Sequence, residues 1–466
     1  MKVFYISVLL ALGASARQNS NFNVTPEYAE SHDCGSKCQQ ILDLTNRADL
    51  DSVGHDFSFD FFATAANFST ATQPGDVLKV EALNVSNLDV DSGTTVYRIQ
   101  YASRDLDGET VPATGFIAFP YTPHFAGGSA GNGTRYKLAA YAHGTIGLFE
   151  GCAPSNSPNL YDYNTWKAAV QRGYAVVATD YAGLGNNFTS HKYLTLPAQV
   201  HDVYYSVVAA RKIFGEALTG EWVSFGHSQG GGTVWKLAES EYVRNDARYL
   251  GTVALAPATY IIDMLMGKYG EVDFSGYLSF LPIAAERALP GYNASFLSDV
   301  MRKRIELATK AQLCIAGMLA LPADLNKTQI VSPDGLAKDK DRLHEWQRML
   351  SPAQGDRSSA PVLVVQGLND TSVLPNTTVQ AWDAACGFGN EVHLRLYPGQ
   401  EHSPLMEASA PEWLGWLDEL FGSVGKVRQR QKCTSLTRRP FSNTFVKQPA
   451  EGGRDFLKAL KSILRE

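Results

Sequence analysis

The chain has 466 residues and a mass of 50.8 kDa, which at about 150 residues per domain allows two or three domains or one large decorated domain. Hydrophobic residues make up 44% of the sequence and charged residues 19%, a balance that excludes wholesale disorder and fibrous repeats. The formal net charge of -6 argues against nucleic acid as the main ligand, because a negatively charged protein has no overall positive potential to attract a phosphate backbone.

The first sixteen residues have the pattern of a secretory signal peptide. Lys2 supplies a positive start, an apolar run extends over residues 3–12, and Ala14-Ser15-Ala16 offers small residues for cleavage. The run is too short for a membrane span, which takes about 20 residues. We therefore expect removal after Ala16 and a soluble, secreted product; the alternative is a frayed N-terminal core strand.

Sequons and cysteines also favour secretion. Nine Asn-x-Ser/Thr acceptors occur, at Asn23, Asn67, Asn84, Asn132, Asn187, Asn293, Asn326, Asn369 and Asn376. The six cysteines allow three disulfides, whose pairing the sequence leaves open; they are Cys34, Cys38, Cys152, Cys314, Cys386 and Cys433. The spacing of the first two could also suit zinc, but no second Cys/His pair follows at ligand spacing, so we expect no metal.

Alternating or apolar runs predict nine strands, which cover residues 77–85, 94–102, 114–119, 137–142, 175–179, 221–225, 250–254, 361–366 and 392–397. Helical periodicity between the later strands covers residues 198–218, 231–242, 378–386 and 411–421. Strands that alternate with helices form a mostly parallel sheet, and the early strands without helices are expected at its antiparallel edge. The predicted fold class is therefore α/β.

Between the seventh and eighth predicted strands, apolar clusters recur at helical spacing without a convincing strand. We interpret this stretch as an inserted helical cap whose apolar residues mostly pack its own core. The predicted organisation is a signal peptide (1–16), an N-terminal extension (17–76), a core (77–256 and 351–421), the cap (257–350) and a basic C-terminal tail (422–466).

The basic tail carries eleven Lys/Arg against three acidic residues from position 426 onwards. It could fold back on the acidic body or bind an anionic surface. A solvated tail is the default expectation.

The pentapeptide Gly226-His227-Ser228-Gln229-Gly230 lies between a predicted strand and a predicted helix. This strand, sharp turn and helix context lifts a serine above the sheet edge, and a strained turn leaves no room for side chains at the two glycines. The pentapeptide alone also arises by chance, so the context makes Ser228 the candidate nucleophile.

A serine hydroxyl needs a base and a group that orients the base. Asp370 lies in the turn after the eighth predicted strand and His402 in the loop after the ninth, which places both at the sheet edge of Ser228. Asp370 could instead cap the following helix or turn, and His402 could be an ordinary loop histidine. His402 is the base by elimination, because the other histidines considered lie in strands, in helices or beside the nucleophile (His393, His344, His201 and His227). The order Ser, Asp, His is that of α/β-hydrolases.

Backbone N–H groups are expected to stabilise the developing oxyanion. One donor should be Gln229, which follows the nucleophile. The second should come from His143-Gly144-Thr145-Ile146-Gly147, which follows the fourth predicted strand, with Thr145 or its neighbour Gly144 as candidates. A plain glycine turn is the alternative interpretation.

These motifs, together with Cys152-Ala153-Pro154-Ser155 and the helical insertion, resemble the fungal secretory lipases of the α/β-hydrolase fold and their bacterial relatives over about residues 77–421. The resemblance implies secreted hydrolysis of carboxylic esters, acylglycerols as a substrate class, no cofactor, and Ser228, Asp370 and His402 as the catalytic triad. The basic tail has no counterpart in that pattern.

Three functions are compatible with the sequence. The favoured one is an ester hydrolase, a lipase or carboxylesterase, that acts on a small-molecule or lipid ester through an acyl-enzyme and makes at most transient contact with a lipid surface. A serine peptidase of the aminopeptidase kind would need cap carboxylates for a peptide amine, which Asp263, Glu271 and Asp273 could supply. The third is a non-catalytic binding relative. The oligomeric state is not predicted, and the sequon at Asn369 is expected to be unused because a glycan there would crowd Asp370.

Overall fold

The computed structural model describes residues 17–124, 135–267, 275–426, 429, 431–442 and 462–464. The predicted signal peptide (1–16), the sequon at Asn132, the carboxylates of Glu271 and Asp273 and much of the basic tail lie outside the described residues. Within the described part, every helix is too short or too polar to cross a bilayer.

Among the residues that the structure describes, ten strands form one sheet in the order β1-β2-β3-β5-β4-β6-β7-β8-β9-β10. They are Val77–Ala82 (β1), Thr95–Arg104 (β2), Thr110–Phe119 (β3), Tyr136–Ala142 (β4), Tyr174–Thr179 (β5), Leu218–His227 (β6), Tyr249–Leu255 (β7), Val362–Gly367 (β8), Val392–Tyr397 (β9) and Thr434–Thr437 (β10). β1, β2, β3 and β5 pair antiparallel, and all remaining pairs are parallel. The predicted mostly parallel sheet with an antiparallel N-terminal edge is confirmed.

Sixteen α-helices lie within the described residues between positions 26 and 422. They are Pro26–Ser31 (α1), Ser36–Val53 (α2), Phe59–Phe62 (α3), Trp166–Gln171 (α4), Leu196–Phe214 (α5), Gln229–Ala238 (α6), Glu241–Arg244 (α7), Ile261–Leu265 (α8), Leu281–Ala288 (α9), Asp299–Ala311 (α10), Ile315–Ala320 (α11), Lys327–Ile330 (α12), Pro333–Leu350 (α13), Pro375–Gly387 (α14), Pro404–Ala408 (α15) and Ala410–Gly422 (α16).

The central strands are buried on both faces, which explains their near-continuous apolar sequences. In β4, Leu138 and Ala140 pack into the apolar layer that contains residues of α5, α6 and α14. Ala139 and Tyr141 point to the opposite layer, which contains residues of α4 and α16. This alternation produces a sheet covered by helices on both faces.

Six of the described helices, α8 to α13, lie between β7 and β8, where the sequence predicts the cap. A third apolar core joins these helices to α2 and to the segment that follows β4. The buried carboxylate of Asp49 in α2 accepts hydrogen bonds from the N–H groups of Ala316 (2.8 Å) and Gly317 (2.9 Å). The N-terminal extension therefore packs against the inserted helices. The cap boundaries at residues 257 and 350 stay a prediction.

All six cysteines form disulfides, Cys34–Cys38, Cys152–Cys314 and Cys386–Cys433. The first shows that the spacing considered for zinc belongs to a local bridge. The second joins the segment after β4 to the inserted helices.

The default expectation of a solvated tail is wrong for the residues around β10. β10 pairs parallel with β9, although its four residues are exposed. Cys433, just before it, is bonded to Cys386 of α14, and Arg438, just after it, forms an ion pair with Glu412 of α16. A covalent bond and an ion pair therefore hold this short strand on the acidic body.

Candidate active site

Ser228 occupies the sharp turn between β6 and α6. Its backbone has φ 58° and ψ -120°, a conformation that non-glycine residues seldom adopt. The turn is held because the Ser228 N–H donates to the carbonyl of Leu255 (2.9 Å) and the Ser228 carbonyl accepts from Ala258 (2.9 Å). A Cβ atom on Gly226 would lie 2.4 Å from the carbonyl oxygen of Gly230, so the turn needs glycine there, as the sequence predicts.

Asp370 lies in the turn after β8, with a side chain almost fully buried. One carboxylate oxygen accepts from the N–H groups of Ser372 and Val373, both at 2.8 Å, and so caps the turn. The other accepts from the amide of Gln366 (3.0 Å) and lies 2.7 Å from Nδ1 of His402. The carboxylate therefore caps the turn and orients the histidine at the same time.

His402 lies in the loop after β9, and its imidazole is 15% exposed. Because carboxylate oxygens accept, Nδ1–H donates to Asp370, and in the neutral ring the lone pair is on Nε2. No hydrogen bond joins the Ser228 hydroxyl to His402 in the described part of the chain, although His402 contacts His227, the residue before Ser228. Catalytic hydrogen bonds of this kind often close only when substrate binds.

The three predicted oxyanion donors lie beside Ser228 but differ in their hydrogen bonding. Thr145 and Gln229 line the same cavity as Ser228. Gln229 is the first residue of α6, where N–H groups have no acceptor within the helix. In contrast, the N–H of Gly144 donates to the hydroxyl of Tyr163 (3.1 Å). The N–H of Gly144 is thus already engaged, and Thr145 and Gln229 stay the predicted donors.

An apolar cavity opens onto Ser228. Its apolar wall comes from the inserted helices and from the loops at the sheet edge, and includes Ala258, Ile261, Met264, Leu281 and Val373. Its polar atoms come mainly from hydroxyl groups, and among the residues that the structure describes no aspartate or glutamate lines it. Such a surface suits an apolar group held next to Ser228.

Tyr163 and Tyr277 are among the tyrosines at the site that were not predicted. Tyr277, in the 3-10 turn Ser275–Ser279, lines the cavity, and Tyr163 hydrogen-bonds to the loop after β4 and to His227. Tyr163 lies in a stretch without strand or helix periodicity, and the apolar cluster at helical spacing that contains Tyr277 does not indicate which way its side chain points. Their roles follow from contacts between segments that are distant in sequence.

Comparison with known proteins agrees with this geometry. The model of the family described as serine aminopeptidase, S33, matches residues 157–409, more than half of the chain. No curated protein sequence matches.

Solved structures with the same fold include Candida antarctica lipase A, with a TM-score of 0.61, 15% identity, and coverage of 86% of this chain and 94% of that chain. The rice cell wall degrading esterase LipA from Xanthomonas oryzae has a TM-score of 0.60 and 19% identity, and the match covers 75% of this chain and 99% of that one. At these identities the likeness establishes the α/β-hydrolase fold. With the family match, it follows that the chain belongs to the serine aminopeptidase S33 family, serine hydrolases of the α/β fold.

Proposed function

We propose that the protein is a secreted ester hydrolase, a lipase or carboxylesterase related to the fungal secretory lipases, that cleaves esters with an apolar acyl group. The observation that carries the proposal is the apolar cavity that opens directly onto Ser228. The hydrogen bond of 2.7 Å between His402 and Asp370, at the same edge of the sheet, supports a catalytic role for both.

In the proposed mechanism, Nε2 of His402 takes the proton of Ser228 as its oxygen attacks the ester carbonyl. The N–H groups of Gln229 and Thr145 stabilise the oxyanion. His402 then gives the proton to the departing alkoxide, which leaves an acyl-enzyme. Water attacks the acyl-enzyme by the same route, while Asp370 holds the imidazole in the tautomer with Nδ1 protonated.

A serine aminopeptidase is the second candidate, because the matching family carries that description. An aminopeptidase needs a carboxylate to pair with the ammonium group of its substrate. Of the predicted acids, Asp263 lies in the described part, and it faces Nε2 of His344 at 3.2 Å instead of lining the cavity. The apolar wall therefore favours an acyl chain over a charged amine.

Secretion is supported by the cysteines and sequons. Three disulfides suit an oxidising compartment. Every sequon asparagine in the described residues is exposed, as glycosylation requires: Asn23, Asn67, Asn84, Asn187, Asn293, Asn326, Asn369 and Asn376. At Asn369 the side chain accepts a hydrogen bond from Gly399 at 3.0 Å, and we keep the expectation that this sequon is unused.

The proposal is tested with p-nitrophenyl esters of increasing acyl length beside aminoacyl p-nitroanilides that have a free amino group. We expect the wild-type protein to turn over the esters and Ser228→Ala to lose this activity. Faster hydrolysis of the anilides would establish the aminopeptidase instead, and hydrolysis of neither class would contradict both candidates.

A further inference from the structure

The buried imidazole of His227 lies between two groups that belong to distant parts of the chain. Its Nε2 is 3.1 Å from the backbone carbonyl oxygen of His402. Its Nδ1 is 3.1 Å from the hydroxyl of Tyr163. The ring centroids of His227 and His402 are 4.4 Å apart. The residue that precedes the nucleophile is therefore in direct contact with the loop that carries the base.

The acceptors determine where the protons lie. A carbonyl oxygen only accepts, so Nε2 of His227 carries the proton and donates to His402. Burial and the neighbouring His402 ring hold the pKa of His227 well below its ordinary value, so the ring is neutral and Nδ1 accepts. Desolvation raises the pKa of Tyr163 to about 12, so the phenol keeps its proton and donates it to Nδ1. The phenol oxygen in turn accepts from the N–H of Gly144.

These contacts form one chain of hydrogen bonds with a single direction. It runs from the N–H of Gly144 to Tyr163, from Tyr163 to His227, and from His227 to the carbonyl of His402. Both ends are backbone groups, one beside the candidate oxyanion donor Thr145 and the other on the base. This series of hydrogen bonds fixes the backbone of the two loops that must close around Ser228.

His402 is thus constrained on two sides. Asp370 holds its side chain through Nδ1, and His227 holds its backbone through the carbonyl. The proton and the lone pair of His227 are both engaged, so His227 is not available as a base for Ser228. Its hydrogen bonds suit positioning.

We infer that His227 and Tyr163 are positioning residues that hold the His402 loop and the Gly144 loop in their places around the nucleophile. The inference rests on the proposed function of Ser228, His402 and Asp370. A misplacement of about 1 Å at a catalytic group can lower the rate about 100-fold. Loss of these hydrogen bonds should therefore lower kcat more than it changes KM.

The test compares His227→Phe, Tyr163→Phe and their double variant with the wild-type protein, with p-nitrophenyl esters as substrates. Rates are expressed per active site titrated with a fluorophosphonate, so that misfolded protein does not count. His201→Phe is the matched control, because the His201 imidazole also contacts a backbone carbonyl, that of Arg104 (3.1 Å), away from the cavity.

We expect each single variant to lower kcat about 10- to 100-fold with KM within about twofold. The double variant should lower kcat no further than the more impaired single variant does, because both substitutions break the same series of hydrogen bonds. His227→Gln should recover most of kcat, since its amide nitrogen can still donate to the His402 carbonyl.

A kcat for His227→Phe within about twofold of wild type, or His227→Gln no better than His227→Phe, would overturn the positioning role while leaving the proposed function intact. Undiminished ester turnover by Ser228→Ala would overturn the proposed function, and the positioning role with it.

Discussion

A Cβ atom on Gly230 would lie 1.9 Å from the carbonyl oxygen of Ala142, so α6 begins in direct backbone contact with the end of β4. No side chain fits between them. This contact places the turn at Ser228 beside the loop with the candidate oxyanion donors, and it explains why the pentapeptide needs glycine two residues after the serine.

We predict that Gly230→Ala destabilises the protein by about 3 kcal/mol or more, because the added methyl group forces the start of α6 away from the end of β4. Gly415→Ala is the matched control, since a Cβ on this helical glycine meets no atom within 4 Å. It should be neutral or stabilising by up to about 1 kcal/mol. Denaturant unfolding measures both, and equal stabilities of the two variants would contradict the steric account.

We predict that Asp370→Asn lowers kcat about 10³- to 10⁴-fold with little loss of stability. The asparagine oxygen can still accept from Ser372 and Val373, but its amide no longer favours the His402 tautomer with Nδ1 protonated. Steady-state kinetics and a melting curve separate the two effects. A loss of less than tenfold would show that Asp370 only caps its turn.

The disulfide Cys152–Cys314 should matter more for stability than Cys34–Cys38. The first closes a loop of 162 residues and the second a loop of 4. In the chain-entropy account their replacement by alanine pairs costs about 5 and about 2 kcal/mol, respectively. Urea unfolding of the two double variants tests this order, and a larger cost for the Cys34–Cys38 pair would contradict it.

Buried acids should make the protein less stable as the pH rises. Burial raises the pKa of Glu239 to about 8, and of Asp49 and Asp202 to about 7, from ordinary values of 4.5 and 3.8. Between the ordinary and raised values the folded chain holds more protons than the unfolded chain. The free energy of unfolding therefore falls as pH rises through this window.

Glu239→Gln removes one of these protonation differences, so its unfolding free energy should change less steeply between about pH 5 and pH 8. Urea midpoints at several pH values measure the slope. Exposed Glu419→Gln serves as the control and should keep the wild-type slope. Identical slopes for wild type and Glu239→Gln would contradict the prediction.

The centre of the sheet could be predicted because its strands are buried on both faces. Residues 361–366 form an apolar run bounded by turns, and β8 occupies Val362–Gly367. The same reasoning brings Asp370 and His402 to one edge, since each follows a strand whose carboxyl end lies there. The structure places these two side chains in hydrogen-bond contact.

Features set by contacts between distant segments could not be predicted. β10 has no buried residue to produce a pattern, and its place depends on a disulfide to α14 and an ion pair with Glu412. Tyr163 lies 64 residues before His227 in a stretch without periodicity. The local sequence pattern indicates burial and turns, but it does not indicate which turns contact each other in the fold.

The central claim is that Ser228 is the nucleophile of an ester hydrolase, and covalent labelling tests it most directly. A fluorophosphonate that carries an alkyl chain should inactivate the wild-type protein with one label per chain, and peptide mass spectrometry should place that label on Ser228. Ser228→Ala should remain unlabelled and inactive toward p-nitrophenyl esters. A label on another residue, or ester turnover by Ser228→Ala at the wild-type rate, would contradict the account.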